Sequence, residues 1–187
     1  MRKSGSFASA LKIGAPTRSG PLHRISGVQC AGPLFFMAIV TRQYEARDFA
    51  RLHKLDQECF PPGISYSKWS LHYYLSLPGA DCMVAEDGKQ IAGFILAEEN
   101  PPLGHIVTLD VAERYRRGGV GTMLLREMEQ HFAFQGVQSV LLETSVENKS
   151  GIAFWERHGY RTEAVVKKYY LGKIDAYEMR KRLGGAR

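Results

Sequence analysis

The 187-residue chain is 44% hydrophobic and 24% charged, a composition that fits one globular domain of roughly 150 residues with a short extra segment and excludes a wholly disordered chain. Its net charge of +6 is uneven: residues 1–36 hold Arg2, Lys3, Lys12, Arg18 and Arg24 and no acid, leaving 20 basic and 19 acidic residues in the rest, and an excess confined to a tail argues against direct nucleic-acid binding. No apolar run approaches the roughly 20 residues of a membrane span, and Cys30, Cys59 and Cys82, with no C-x-x-C pair among them and six scattered histidines around them, suggest neither a disulfide framework nor a metal site.

Sparse thiols of this kind are expected to be reduced, as in the cytoplasm. Residues 1–36, rich in Ser, Gly, Ala and Pro, are expected to be a disordered basic tail. Two readings fit them: an organellar targeting segment, or sequence upstream of a true start at Met37. The second is preferred because the foldable pattern begins there. The folded domain is then residues 37–187.

Ala38 to Gln43 reads as a strand. Asp48 is placed to cap a helix carrying Phe49, Leu52 and Leu55 at helical spacing. Pro61-Pro62-Gly63 breaks the chain, and Ser67 caps a second short helix that ends at Pro78-Gly79. Cys82 to Glu86 and Gln90 to Glu98 flank Asp87-Gly88 as a hairpin. Ile106 to Val111 is a further apolar strand. Val120, Leu124, Leu125, Met128 and Phe132 mark a strong helix stopped by Gly136. A buried strand (Val140 to Thr144), a helix (Ser150 to His158) and two β-rich stretches (Arg161 to Tyr170, Ala176 to Leu183) follow. The order predicts a single α/β domain of the mixed α+β kind, with about four helices flanking the sheet.

The segment with the clearest chemistry runs from Ile106 to Phe132. A turn made of Arg117 to Gly121 exposes backbone N–H groups at a helix N-terminus, where glycine lets an anion approach and the helix dipole favours it. Arg116 and Arg117 add charge. A plain strand-to-helix turn fits the glycines about as well. The lysine of a G-x-x-x-x-G-K-[ST] loop and the spacing of G-x-G-x-x-G are both absent.

Arg116-x-x-Gly119-x-Gly121, preceded by Thr108-Leu109-Asp110-Val111 and Tyr115, resembles the [Q/R]-x-x-G-x-[G/A] signature of the GNAT family of N-acetyltransferases. Leu142-Glu143-Thr144, Asn148 and Ala153 to Tyr160 are similar to that family's L-E-V-x-x-x-N-x-x-A-x-x-x-Y-x-x-x-G-F block. Phe60-Pro61, Lys167 to Tyr170 and Asp175 to Met179 look most like the branch that acetylates ribosomal-protein N-terminal alanines. The resemblance covers about residues 38–183. It implies a mostly antiparallel mixed sheet and acetyl-coenzyme A as donor, with no metal. It implies cofactor contacts from Leu109, Asp110 and Val111, from Arg116, Arg117, Gly118, Gly119, Val120, Gly121 and Thr122, and from Asn148. The pantetheine arm would pair as an extra strand beside Leu109 to Val111, and the Val111 N–H would polarise the thioester carbonyl.

Glu143 matches the family's general base, at the end of an apolar strand where burial favours proton uptake. Without the resemblance it reads as a structural or surface carboxylate. The family's usual acid tyrosine falls at Trp155, whose indole is a donor but not an acid and which also reads as a core aromatic. Tyr169 or Tyr170 are the candidates to replace it, or the thiolate leaves unaided. In an extended strand one of these two tyrosines faces the acceptor groove and the other the core. Trp69, Tyr73 and Tyr74 read either as core or as the opposite wall.

The expected partners are acetyl-coenzyme A and a protein N-terminus, and direct transfer in a ternary complex is expected because no cysteine or serine sits in a nucleophile motif. The alternatives are a small amine acceptor and a non-catalytic acyl-coenzyme A-binding module.

Overall fold

The structure, a computed structural model, describes residues 39–184. The basic tail, its Cys30, Ala38 of the expected opening strand and residues 185–187 of the expected domain lie outside them.

Seven strands form one sheet in the order β1-β2-β3-β4-β5-β7-β6. They are β1 (Val40–Gln43), β2 (Ala80–Asp87), β3 (Gln90–Asn100), β4 (Leu103–Val111), β5 (Ser139–Ser145), β6 (Arg161–Tyr170) and β7 (Ile174–Arg182). Four helices cover it: α1 (Phe49–Cys59), α2 (Lys68–Leu75), α3 (Val120–Phe134) and α4 (Lys149–Arg157). Every neighbouring pair is antiparallel except β4 with β5. Element order and fold class are those expected from the sequence. Among the described residues no helix is long and apolar enough to cross a membrane.

The two faces of the sheet carry separate cores. Leu124, Leu125, Met128 and Phe132 of α3, with Phe154 and Trp155 of α4, pack on Ile95, Ile106, Leu109 and Leu142. Leu52, Leu55 and Cys59 of α1, with Leu71 and Tyr74 of α2, pack on Val84, Phe94, Leu96 and Val107 of the other face. Alternation along each strand assigns the neighbours: Ile106 and Leu142 face α3 and α4, so His105 and Glu143 face α1 and α2.

The parallel pair β4–β5 is short. Only Leu103, Gly104 and His105 pair, with Ser139, Val140 and Leu141. Beyond His105 the two strands part, leaving a fork lined by the rest of β4 and the end of β5. A bulge causes the change of direction. Thr108 pairs with Leu96 and Ile106 with Ala97, so Val107 is an extra residue in β4, and a bulge bends its strand and increases its twist.

Two local expectations are corrected. Asp48 does not cap α1. It ends a 3-10 turn (Ala46–Asp48) in a helical backbone conformation, with no side-chain bond to the N–H groups of α1. Its carboxylate turns back instead, accepting from the Glu45 N–H at 2.9 Å in the capping box of the 3-10 turn and from the Arg42 guanidinium at 2.7 and 2.9 Å, a charge-assisted fork. The second correction concerns β6, where three residues (167–169) oppose the one residue between Ala176 and Ile174. Lys168 there takes φ +54°, and Asp175 accepts from the Lys168 N–H at 2.9 Å and the Lys167 ammonium at 2.7 Å. This bulge abolishes simple alternation: the Tyr169 and Tyr170 rings meet edge to face, 4.9 Å apart.

Candidate active site

The glycine-rich turn opens a cleft of about 320 Å³ on the α3–α4 face. Val111, Tyr115, Arg116, Arg117, Gly119, Gly121 and Thr122 line one side, and Ser150, Ala153, Phe154 and Arg157 of α4 the other. Gly119 is the N-terminal cap of α3 at φ +88°, a conformation glycine adopts without steric cost. A Cβ on Gly121 would stand 3.4 Å from Phe154 and 3.6 Å from Val111, narrowing the cleft. Arg117 holds φ +62°, an unusual backbone for a residue with a side chain, of the kind that clusters at ligand sites. The first N–H groups of α3 are without helical partners, and they border this space.

Arg116 is only partly a ligand-facing cation. Its Nε donates to the Val111 carbonyl at 2.9 Å, and its guanidinium reaches the Cys59 Sγ at 3.4 Å. Burial and Asp110 push the Cys59 thiol up to about 12, so it stays protonated and is a poor nucleophile. Thr122 Oγ1 lies 3.0 Å from His158 Nε2, tying the start of α3 to the end of α4. Val120 faces the core. Asn148 caps α4, accepting from the Gly151 N–H at 3.1 Å.

The fork carries this cleft toward the opposite face. The Ala112 N–H donates to the Ala92 carbonyl at 2.9 Å. The alternation of an antiparallel ladder therefore turns the backbone groups of Val111 and Leu109 away from β3 and into the fork, and those of Asp110 toward β3. The Asp110 carboxylate is buried and accepts from Thr108 Oγ1 at 2.7 Å. The Val111 carbonyl is taken by Arg116 and the Cys59 thiol, so the Val111 N–H and the backbone groups of Leu109 are what an amide-bearing chain can pair.

On the α1–α2 face, Glu143 is 8% exposed, and its Oε2 lies 3.0 Å from His105 Nε2. The Tyr170 hydroxyl donates to the Glu143 backbone carbonyl at 3.4 Å. Burial, and then the Glu143 charge, hold that phenol above the ordinary tyrosine range, so it remains a donor. The Tyr66 hydroxyl donates to the Val107 carbonyl at 3.4 Å. The Tyr66 loop is anchored by buried Asp56, which accepts from the Tyr66 N–H at 2.7 Å. Ile64 of the same loop packs against Tyr170 and Ala176.

Trp155 is not part of this constellation. It is fully buried, edge-on to Phe154 at 5.0 Å and to Tyr160 at 5.2 Å. Its indole Nε1 has no hydrogen-bond partner among the described residues.

Two contributors escaped sequence reading. His105 looks like an ordinary half-buried histidine until the β4–β5 register places it opposite Leu141, two residues before Glu143 and on the same face of the sheet. Arg157 was legible: Ser150, Ala153, Phe154 and Arg157 fall at helical spacing, so one face of α4 presents all four.

Comparison with known proteins gives a consistent result. The sequence profile of the Acetyltransferase (GNAT) family matches residues 49–160. The catalytic subunit of the N-terminal acetyltransferase A complex of Arabidopsis thaliana is 31% identical over 157 residues, covering 79% of each chain. A chain in the crystal structure of the NatC complex bound to Gag peptide and coenzyme A is 25% identical. It superposes with a TM-score of 0.69 over 79% of this chain and 100% of that one. The ribosomal-protein-S18-alanine N-acetyltransferase of Escherichia coli shares the fold at 20% identity, with a TM-score of 0.71 over 80% of this chain and 97% of that one.

Proposed function

The chain belongs to the GNAT family of acetyl-coenzyme A-dependent N-acetyltransferases, and from that premise we propose that its acceptor is the α-amine of a polypeptide N-terminus, with a ribosomal protein as the favoured acceptor. The observation that carries this reading is the fork between β4 and β5. It joins an anion-binding cleft on one face of the sheet to the His105–Glu143 pair on the other.

The donor's phosphates fit the Arg117 to Gly121 turn, which supplies oriented N–H groups at a helix start. Its amide-bearing arm fits the row left open by Leu109 and Val111, and Asn148, Gly118 and Thr122 complete the seat. The Val111 N–H, turned into the fork, stands to stabilise the developing oxyanion.

Glu143 is the proton acceptor in this reading. The attacking nitrogen must be neutral; about a tenth of an α-amine with pKa near 8 is already so at pH 7, whereas a lysine near 10.4 is almost entirely charged. A single carboxylate suits the easier task. As the C–N bond forms and the C–S bond breaks, the amine proton passes to Glu143 and the sulfur leaves as thiolate. That thiolate has an ordinary pKa near 8.5 and needs little acid help. Tyr170 and Tyr169 then serve as hydrogen-bond donors and pocket wall. The buried, protonated Cys59 supports direct transfer over an acyl-enzyme.

The test is free-thiol release from acetyl-coenzyme A with a hexapeptide beginning with alanine, against an α-amine-blocked copy carrying a free lysine. Release with the first peptide alone is expected. Equal release with the blocked copy would sink the α-amine reading.

A further inference from the structure

The acceptor pocket around Glu143 is bounded on one side where the α1–α2 loop meets the β6–β7 hairpin. Ile64 packs on Tyr170 there, and Gly63 stands so close to Leu171 that a Cβ on it would lie 2.8 Å from the leucine side chain. Along α2 the boundary is different. Tyr74 is buried and meets Tyr66 edge to face at 5.3 Å, the ring whose hydroxyl donates to the Val107 carbonyl at the fork. From Tyr74 a row of rings runs outward: Tyr73 at 5.6 Å, edge to face, then Trp69 at 5.6 Å from Tyr73, nearly parallel at 10°. Trp69 is 75% exposed and Tyr73 39%. A tryptophan in open solvent, already stacked on one face and bare on the other, is an uncommon use of a large apolar ring.

We propose that the Trp69–Tyr73 stack seats an aromatic side chain at the third or fourth residue of the acceptor polypeptide. This rests on the α-amine reading above. Two 5.6 Å steps from Tyr74 to Trp69 span at most about 11 Å, which an extended chain covers in about three residues at roughly 3.4 Å each. With the amine at Glu143 and the first residue of the acceptor lying against Tyr74, that span brings the third or fourth side chain to the exposed indole face. Planar rings stack there at low entropic cost. Exposed Lys68, adjoining Trp69 on α2, disfavours a cationic side chain at the same place.

The test uses the full chain with three heptapeptides that share an N-terminal alanine and differ only at residues 3 and 4: Phe-Phe, Gly-Gly or Arg-Arg. The wild type should favour Phe-Phe over Gly-Gly about tenfold in kcat/KM, a ratio in the range of one aromatic stack. Trp69→Ala should reduce that ratio to about one, and Trp69→Phe should restore most of it. Because Trp69 is largely solvent-exposed, the alanine variant should fold, as thermal unfolding verifies. Equal wild-type rates on Phe-Phe and Gly-Gly, a preference that survives Trp69→Ala, or a preference for Arg-Arg would each overturn the proposal. Acetylation of a small free amine with no acetylation of any peptide would overturn the α-amine reading itself, and this proposal with it.

Discussion

His105 Nε2 and Glu143 Oε2 lie 3.0 Å apart at the point where β4 and β5 separate. The contact fixes the carboxylate of the proposed proton acceptor against a ring nitrogen of the neighbouring strand. Glu143→Gln keeps the shape and removes the basicity. It should lower kcat about 100- to 1,000-fold, within the span of general-base effects, while leaving the KM for acetyl-coenzyme A within about twofold. Steady-state thiol release checks both. His105→Gln keeps a donor toward Glu143, whereas His105→Ala removes it. The alanine variant should lower kcat about tenfold with the KM for acetyl-coenzyme A within about twofold, and the glutamine variant should recover most of that loss. A loss of stability with an unchanged kcat would reduce His105 to a packing role.

The sequence made the donor side of this site legible because its signals are local. A helix start, glycines at 119 and 121 and the arginines before them lie within six residues, and backbone geometry follows from residue type. The element order was legible for the same reason, as with Ser67, whose side chain accepts from the Ser70 N–H at 3.0 Å. The acceptor side depends on register. Nothing in the strand from Leu103 to Val111 says that an extra Val107 bends it, or that His105 will stand beside Glu143. The β6 bulge is equally silent: Asp175 lies seven residues from the Lys168 N–H it captures. Asp48 shows competition, since its carboxylate turns back to Arg42, six positions earlier, and to the Glu45 N–H of the 3-10 turn rather than to α1.

Arg117 pays for its position with a left-handed backbone, φ +62°. A residue with a Cβ loses roughly 1–2 kcal/mol there relative to its preferred conformations, and glycine does not. Arg117→Gly should therefore leave stability equal or higher by up to about 1 kcal/mol, after the added freedom of the unfolded chain is deducted. It should also raise the KM for acetyl-coenzyme A about five- to tenfold, since a charge is lost from the cleft. Urea unfolding and cofactor titration separate the two effects. Weakened folding with unchanged cofactor affinity would show that the arginine serves the turn rather than the ligand.

Trp155 falls where the sequence resemblance implies an acid tyrosine, yet its ring is buried between Phe154 and Tyr160. Trp155→Phe keeps an aromatic edge there and removes the buried Nε1, which has no partner among the described residues. The smaller ring leaves a void, so unfolding should become easier by about 1–2 kcal/mol. The kcat should stay within about twofold. A hundredfold fall in kcat in a folded variant would assign Trp155 a role in the chemistry.

The Arg42–Asp48 fork gives stability a defined pH dependence. Asp48 is 6% exposed, and the Arg42 guanidinium holds its carboxyl below the usual carboxylate range. In the unfolded chain the same group titrates near 3.9. A folded pKa below the unfolded one makes the unfolded state bind the proton first as pH falls. The contribution of Asp48 is therefore complete above about pH 5, shrinks through the region near pH 4, and is lost once the folded carboxyl is protonated as well. Asp48→Asn removes the charge and nearly keeps the shape. At pH 7 it should lower the unfolding free energy by about 2 kcal/mol, the scale of hydrogen bonds to a charged group. Toward pH 3 the variant and wild-type curves should converge. Denaturant titrations at both pH values decide the matter: an equal deficit at pH 7 and pH 3 would trace the loss to packing at the β1–α1 junction rather than to the ion pair.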